Sequence, residues 1–260
     1  MKKIVSGLFL GVFTLFALNA NAQVKKKPIA SKVTITNGKK AEVKETKIAT
    51  AKKQVGEKTK SAFAKKDNSI KIKITTDSGV IIVKLYDSTP LHRDNFVKLV
   101  KEKFYDSLLF HRVISGFMIQ GGDPASKNAE PGVMLGGGGG DMQRIPAEFR
   151  SSLIHKKGAL CAARDGNPEM ASSACQFYLV QGRKMTDAEL DFMAQQGRVY
   201  TPEQRLAYKT LGGASSLDTQ YTVFGEVIKG LNVIDKIASV QKGMADRPLG
   251  DVRMKMEIIK

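Results

Sequence analysis

Few residue types able to do acid-base, nucleophilic or metal chemistry stand at spacings that would let them act together. The three histidines, His92, His111 and His155, are scattered and make no ligand spacing with the two cysteines, Cys161 and Cys175, so no zinc site is implied. Ser107, Asp106 and His111 hold the residue types of a hydrolytic triad, but crowded into one strand and turn they form no nucleophile elbow. The glycine run 136–140 lacks the following Lys-Ser/Thr of a phosphate loop and reads as a flexible loop after Leu135. No metal or organic cofactor is implied by any of these groups. Arg112 is different in kind: it stays charged at any ordinary pH and offers several hydrogen-bond donors. In an extended strand Phe110 and Arg112 share one face and His111 points to the other, which reads as a structural histidine.

Arg112 sits inside the most informative stretch of the chain, Phe104-Tyr105-Asp106-Ser107-Leu108-Leu109-Phe110-His111-Arg112-Val113-Ile114-Ser115-Gly116-Phe117-Met118-Ile119-Gln120-Gly121-Gly122-Asp123-Pro124. This run closely resembles the central signature of the cyclophilin family of peptidyl-prolyl cis-trans isomerases. Further similar pieces follow in the family's order: Ile145-Pro146-Ala147-Glu148-Phe149, Ala162-Ala163-Arg164, Gln176-Phe177-Tyr178 and Tyr221-Thr222-Val223-Phe224-Gly225. The resemblance spans residues 69–260, apart from a segment at 183–213.

The chemistry implied by the resemblance is rotation about Xaa-Pro bonds. The barrier is roughly 18–20 kcal/mol because the nitrogen lone pair is delocalised into the carbonyl, and an unaided Xaa-Pro bond turns over in tens to hundreds of seconds. A guanidinium donating to that nitrogen as it becomes pyramidal favours the twisted state selectively; by resemblance Arg112 is the catalytic group. Phe117, Met118 and Leu217 match the family's proline socket, with Tyr178 and Tyr221 at its wall. Gln120 and Gln176 would align peptide and arginine, and Ala163, Arg164 and Asp165 match the segment that pairs with an extended substrate backbone. The chain departs from many relatives at Tyr178 (often Phe), Tyr221 (often His) and Arg164 (often Asn). Ser216 stands where cyclosporin-sensitive members carry Trp, which implies weak cyclosporin binding. From a different class, the same pocket would serve a catalytically weak module that only binds proline-containing segments as a chaperone or scaffold.

The elements that must position these residues are mostly short strands. Ile70 to Ile74 alternates with period two, Thr76-Asp77-Ser78-Gly79 supplies a turn, and Val80 to Leu85 returns. A helix is expected from Pro90 to Phe104, capped by Ser88 or Thr89. Apolar segments at 108–113, 117–120, 158–163, 176–180, 222–227 and 252–259 alternate with glycine-rich connections. The expected fold is mainly β: a closed, eight-stranded antiparallel barrel capped by two helices, the second at 230–238. Residues 183–213 turn helical, with capping boxes at Thr186-x-x-Glu189 and Thr201-x-x-Gln204. This insertion either borders the groove, the favoured reading, or packs elsewhere.

The N-terminal quarter is of another character. Lys2 and Lys3, the apolar run Ile4 to Leu18 and Ala20-Asn21-Ala22 predict a signal peptide over 1–22, hence an exported, periplasmic protein. The run is short for a bilayer-spanning anchor. Residues 23–68 hold 14 Lys against 4 acidic residues, ten of the chain's seventeen formal net positive charges, with little apolar surface to bury. They read as a flexible basic tether, either a solvated spacer or an attachment to anionic lipid headgroups and cell-surface polymers. Export argues against nucleic acid as a partner. The expected partners of the folded part are proline-containing, unfolded or flexible polypeptides; oligomeric state is not encoded legibly. The two cysteines fit either a disulfide or two small buried hydrophobes.

Overall fold

The computed structural model describes residues 69–260; the expected signal peptide and basic tether lie outside the described residues. Eight strands form one antiparallel sheet: β1 Lys71–Thr76, β2 Gly79–Leu85, β3 Phe110–Ile114, β4 Met118–Gly121, β5 Ala159–Ala162, β6 Phe177–Val180, β7 Val223–Lys229 and β8 Met254–Ile259. Their order across the sheet is β3-β4-β6-β5-β7-β2-β1-β8. Four helices accompany them: α1 Pro90–Lys101, α2 Asp187–Gln195, α3 Pro202–Thr210 and α4 Leu231–Ala238.

The period-two pattern of the first hairpin works as expected, with Ile72 and Ile74 of β1 and Ile81, Val83 and Leu85 of β2 entering the core. α1 lays Phe96, Leu99 and Val100 into the same core. Phe96 there meets Tyr105, Phe177 and Phe224 at ring-centroid distances of 5.0, 5.6 and 5.3 Å. α4 adds Val233, Ile234 and Ile237.

The expected closed barrel is not formed: the sheet curls but remains open between β3 and β8. β8 pairs along its whole length with β1. Its other edge meets the start of β3 and the residues leading into it through three backbone hydrogen bonds of 2.9 Å, Ser107 N–H to Met254 O, Met254 N–H to Leu108 O and Phe110 N–H to Val252 O, around one isolated bridge, Leu109 with Arg253. Ser107 in the left-handed region (φ 70) and a bulge at His111 bracket that contact. The ladder therefore stops after a single bridge.

Helix α1 also ends early, at Lys101, and Lys103 (φ 56) turns the chain before Phe104. Thr89 makes no side-chain cap. The cap comes from far along the chain, where the Glu148 carboxylate accepts from the backbone N–H groups of Leu91 (3.2 Å) and His92 (3.0 Å). In the insertion both capping boxes form as their sequences predict. Leu190 and Tyr208 of its helices pack with Ile154 and Met185 in a small separate core. Cys161 and Cys175 are both free and buried, so the disulfide alternative is not realised. Burial raises both thiols above their ordinary pKa, which disfavours the thiolate form.

Candidate active site

The β3–β4 hairpin carries the arginine, and its irregularity sets the arginine's direction. Phe110 faces Gly121 and Arg112 faces Gln120 across the ladder, so β3 holds one extra residue, His111. That bulge overturns the simple alternation expected for this strand. Phe110 and Val113 both enter the core, whereas Arg112 turns outward with its side chain 45% exposed. His111 is buried, and among the described residues neither ring nitrogen makes a well-formed hydrogen bond. Burial lowers its pKa to about 4, so at neutral pH it is an uncharged structural group, as the sequence suggested.

From Arg112 a line of amides runs across the groove floor. Arg112 Nη1 donates to Gln120 Oε1 over a long 3.4 Å, and Gln120 Nε2 donates to Gln176 Oε1 at 3.0 Å. Gln176 Nε2 donates in turn to the carbonyls of Gly136 and Gly138, both at 2.9 Å. On the guanidinium's other flank Asp246 Oδ2 lies 4.0 Å from Nε, at the end of a turn in which Ala245 and Asp246 both adopt positive φ.

Beside this line lies an apolar wall. Met118, Ala163 and Tyr178 are buried in one cluster, against which half-buried Phe117, Leu217 and Tyr221 pack. Tyr178 and Tyr221 meet edge to face at 6.0 Å. Arg164 lies over the Tyr221 ring at 4.6 Å and donates from Nε to Gln220 O at 3.0 Å, so its planar group braces the rim. Of the residues singled out in the sequence, Gln120, Ala163, Arg164 and Gln176 line one cavity, Met118, Phe117, Tyr178, Leu217 and Tyr221 share one apolar cluster with Ala163, and Arg112 reaches the cavity lining through Gln120. A cavity of about 240 Å³ lies between the glycine run and the 163–165 segment.

The glycine run is not the free loop its composition suggested. The fully buried Asp123 carboxylate accepts from the N–H groups of Gly136 and Gly138, while Gln176 holds two of the run's carbonyls. A Cβ at Gly138 would fall on the Asp123 carboxylate, and one at Gly139 (φ +81) on the Cys175 sulfur. Asp123 closes the signature run, yet nothing in its position revealed what it would hold.

A second network had no sequence motif. Asp218, 5% exposed, accepts from the His155 backbone N–H and ring Nδ1 (both 2.8 Å), from Tyr200 OH (2.8 Å) and from Tyr208 OH (2.5 Å). His155 Nε2 then meets Tyr178 OH at 3.0 Å. Burial and the neighbouring Asp218 raise the pKa of Tyr208, which keeps its hydroxyl a donor. The helical insertion is thereby wired to a wall residue of the groove.

The family model for cyclophilin type peptidyl-prolyl cis-trans isomerase/CLD matches residues 71–258. A Staphylococcus haemolyticus protein, provisionally named a peptidyl-prolyl cis-trans isomerase, is 36% identical over 188 residues, covering 72% of this chain and 89% of that protein. A provisionally so named Staphylococcus aureus protein is 36% identical over 185 residues, with 70% and 88% covered. Among solved structures, a Cryptosporidium parvum cyclophilin type peptidyl-prolyl cis-trans isomerase superposes with a TM-score of 0.53 at 20% identity, over 74% of this chain and 98% of that one. The same isomerase crystallised in the presence of the dipeptide Ala-Pro gives 0.53 at 19% identity, over 73% and 99%.

Proposed function

Since the chain belongs to the cyclophilin-type peptidyl-prolyl cis-trans isomerase family, we propose that it accelerates rotation about Xaa-Pro bonds in exported polypeptides, with Arg112 as the catalytic residue. The observation that carries this reading is the half-exposed guanidinium at the head of the Gln120–Gln176 line, next to an apolar wall of Phe117, Met118, Leu217, Tyr178 and Tyr221. The pyrrolidine ring occupies the wall, where burial of its apolar surface provides binding. Arg112 donates to the prolyl nitrogen, whose lone pair becomes a full acceptor only as the amide twists. The interaction is therefore stronger in the transition state than in either planar isomer. Gln120 orients the guanidinium through its 3.4 Å contact, which reduces the reorganisation needed during the turn. The Cryptosporidium parvum relative solved in the presence of Ala-Pro supports a proline peptide as occupant of this groove.

Export rests on the N-terminal pattern alone. Mass spectrometry of the mature protein, finding Gln23 as its first residue in the periplasmic fraction, is the expected result; an intact Met1 in the cytosol would count against it. For catalysis, exchange NMR on an Xaa-Pro peptide compares wild type with Arg112→Ala. Loss of a preorganised donor predicts a fall in kcat/KM of about 10²–10³-fold. Equal rates in the two proteins would favour the chaperone or scaffold alternative.

A further inference from the structure

We propose that the helical insertion builds a second, apolar subsite beside the proline socket, and that this subsite receives a large apolar side chain flanking the substrate proline. The inference rests on the isomerase reading above and extends it to sequence preference. A separate cavity of about 180 Å³ is lined by Phe117 of the socket, by Ala214 and Ser216 of the segment leading back to the sheet, and by Met185 and Met193 of the insertion. Phe117 and Ala214 belong to the same apolar cluster as Met118 and Tyr178, so the cavity continues the socket's wall.

Its position fits one flank of a bound peptide. Phe117 lies in the turn just before β4 and Gln120 near the strand's end, at most about 10 Å apart at the rise of a strand. A peptide with its proline between them sends one neighbour toward Gln120 and the glycine run and the other toward Met193. Gly116 turns the hairpin there at φ 74 with open space around it, and Ser216 contributes only a small exposed side chain. A bulky residue at 216 would fill the space that Ser216 leaves.

The chemistry of the lining selects the occupant. Two thioethers and a phenyl ring offer polarisable, adaptable apolar surface, suited to Leu, Met or Phe side chains. Arg183 also lines the cavity, its charge paired with Glu189 at 2.6 Å. The wall is also held in place. Arg198 Nη1 contacts the Met193 sulfur at 3.5 Å, and Tyr200 and Tyr208 tie the insertion through Asp218 and His155 to Tyr178. A preformed wall costs little ordering when a side chain docks.

The test measures kcat/KM on two peptide series, one varying the residue before proline (Gly, Leu, Phe) and one varying the residue after it. In wild type, one series shows a preference of about tenfold for Leu or Phe over Gly. In Met193→Ser that ratio falls to within about twofold. Met193→Trp, which fills the cavity without removing apolar surface, inverts or abolishes the preference. Turnover with no large-side-chain preference in either series, or a preference untouched by both substitutions, overturns the subsite while leaving the isomerase reading intact. A wild type that turns over neither series overturns both.

Discussion

Asp218 is the residue whose removal tests most directly how the insertion and the groove are joined. It is buried and accepts four hydrogen bonds, two from His155 and one each from Tyr200 and Tyr208. Asp218→Ala leaves a backbone N–H, an imidazole N–H and two hydroxyls without their acceptor. Half-buried Tyr200 can be rehydrated, but His155 and Tyr208, fully buried, cannot without rearrangement. Breaking a buried, charged hydrogen-bond set of this kind costs about 3–5 kcal/mol. For a domain of this size each kcal/mol lowers Tm by about 2–4 °C, so circular dichroism should record a fall of roughly 6–20 °C. Tyr208→Phe removes one of four bonds and should cost about 1–1.5 kcal/mol. Because the two substitutions share one network, the double variant should be less destabilised than the two effects added together. Through His155 the loss also frees Tyr178, so KM for a proline peptide should rise more than kcat falls. A Tm within 2 °C of wild type for Asp218→Ala, or strict additivity with Tyr208→Phe, would refute the network as described.

The other predictions concern the loop, the buried histidine and the chemistry. Gly138→Ala sets a methyl against Asp123 and should cost about 1–3 kcal/mol, with a raised KM as Gln176 loses its carbonyl partners; unchanged unfolding and kinetics would remove the loop from the site's framework. His111, at an ordinary pKa of 6.5 when unfolded and about 4 when folded, binds its proton more readily in the unfolded chain. Its contribution to stability is therefore level above pH 6.5 and is lost as pH falls, by about 2 kcal/mol at pH 5; His111→Leu should flatten that part of the urea-unfolding profile, and a slope of the same size in the variant would refute it. Finally, the proposed mechanism requires no proton exchange by Arg112, Gln120 or Gln176, so on that mechanism kcat/KM should stay within about twofold from pH 6.5 to 9, and a bell-shaped profile would point to acid-base catalysis instead.

The family and the mainly β architecture were legible in the sequence because the chain carries one continuous signature run and a few short pieces in a recognisable order. Strand types and the insertion's helix starts followed from period-two alternation and from Thr186 and Thr201 with their partners three residues on. What escaped was non-local. The cap of α1 comes from Glu148, 56 residues beyond His92, and local propensity at Ser88 and Thr89 cannot anticipate it. The bulge at His111 changes which residues share a face without altering composition, so alternation gave Arg112 and Phe110 a common side that they do not have. Closure of a sheet depends on how far the last edge runs alongside the first. Strand lengths and spacing do not record that, and here the contact amounts to one bridge.

Glu148, Asp123 and Asp218 share a physical role that explains why loops so rich in glycine and serine can frame a precise groove. Each carboxylate is buried and sits in a connection, not a strand, and each is satisfied by donors brought from elsewhere in the chain. Glu148 takes two N–H groups of α1 and the His92 ring, which in turn meets Ser172. Asp123 takes the glycine run, and Asp218 takes His155 with both insertion tyrosines. A buried carboxylate is tolerable only when its acceptor sites are filled, so each one makes its surrounding loop conformation far cheaper than any alternative that leaves it unpaired. Apolar packing fixes the β core beneath the groove; charge-assisted hydrogen bonds fix the segments above it. Arg112 can then remain half exposed, as the proposed role requires, because the order of the surrounding segments resides in these carboxylates.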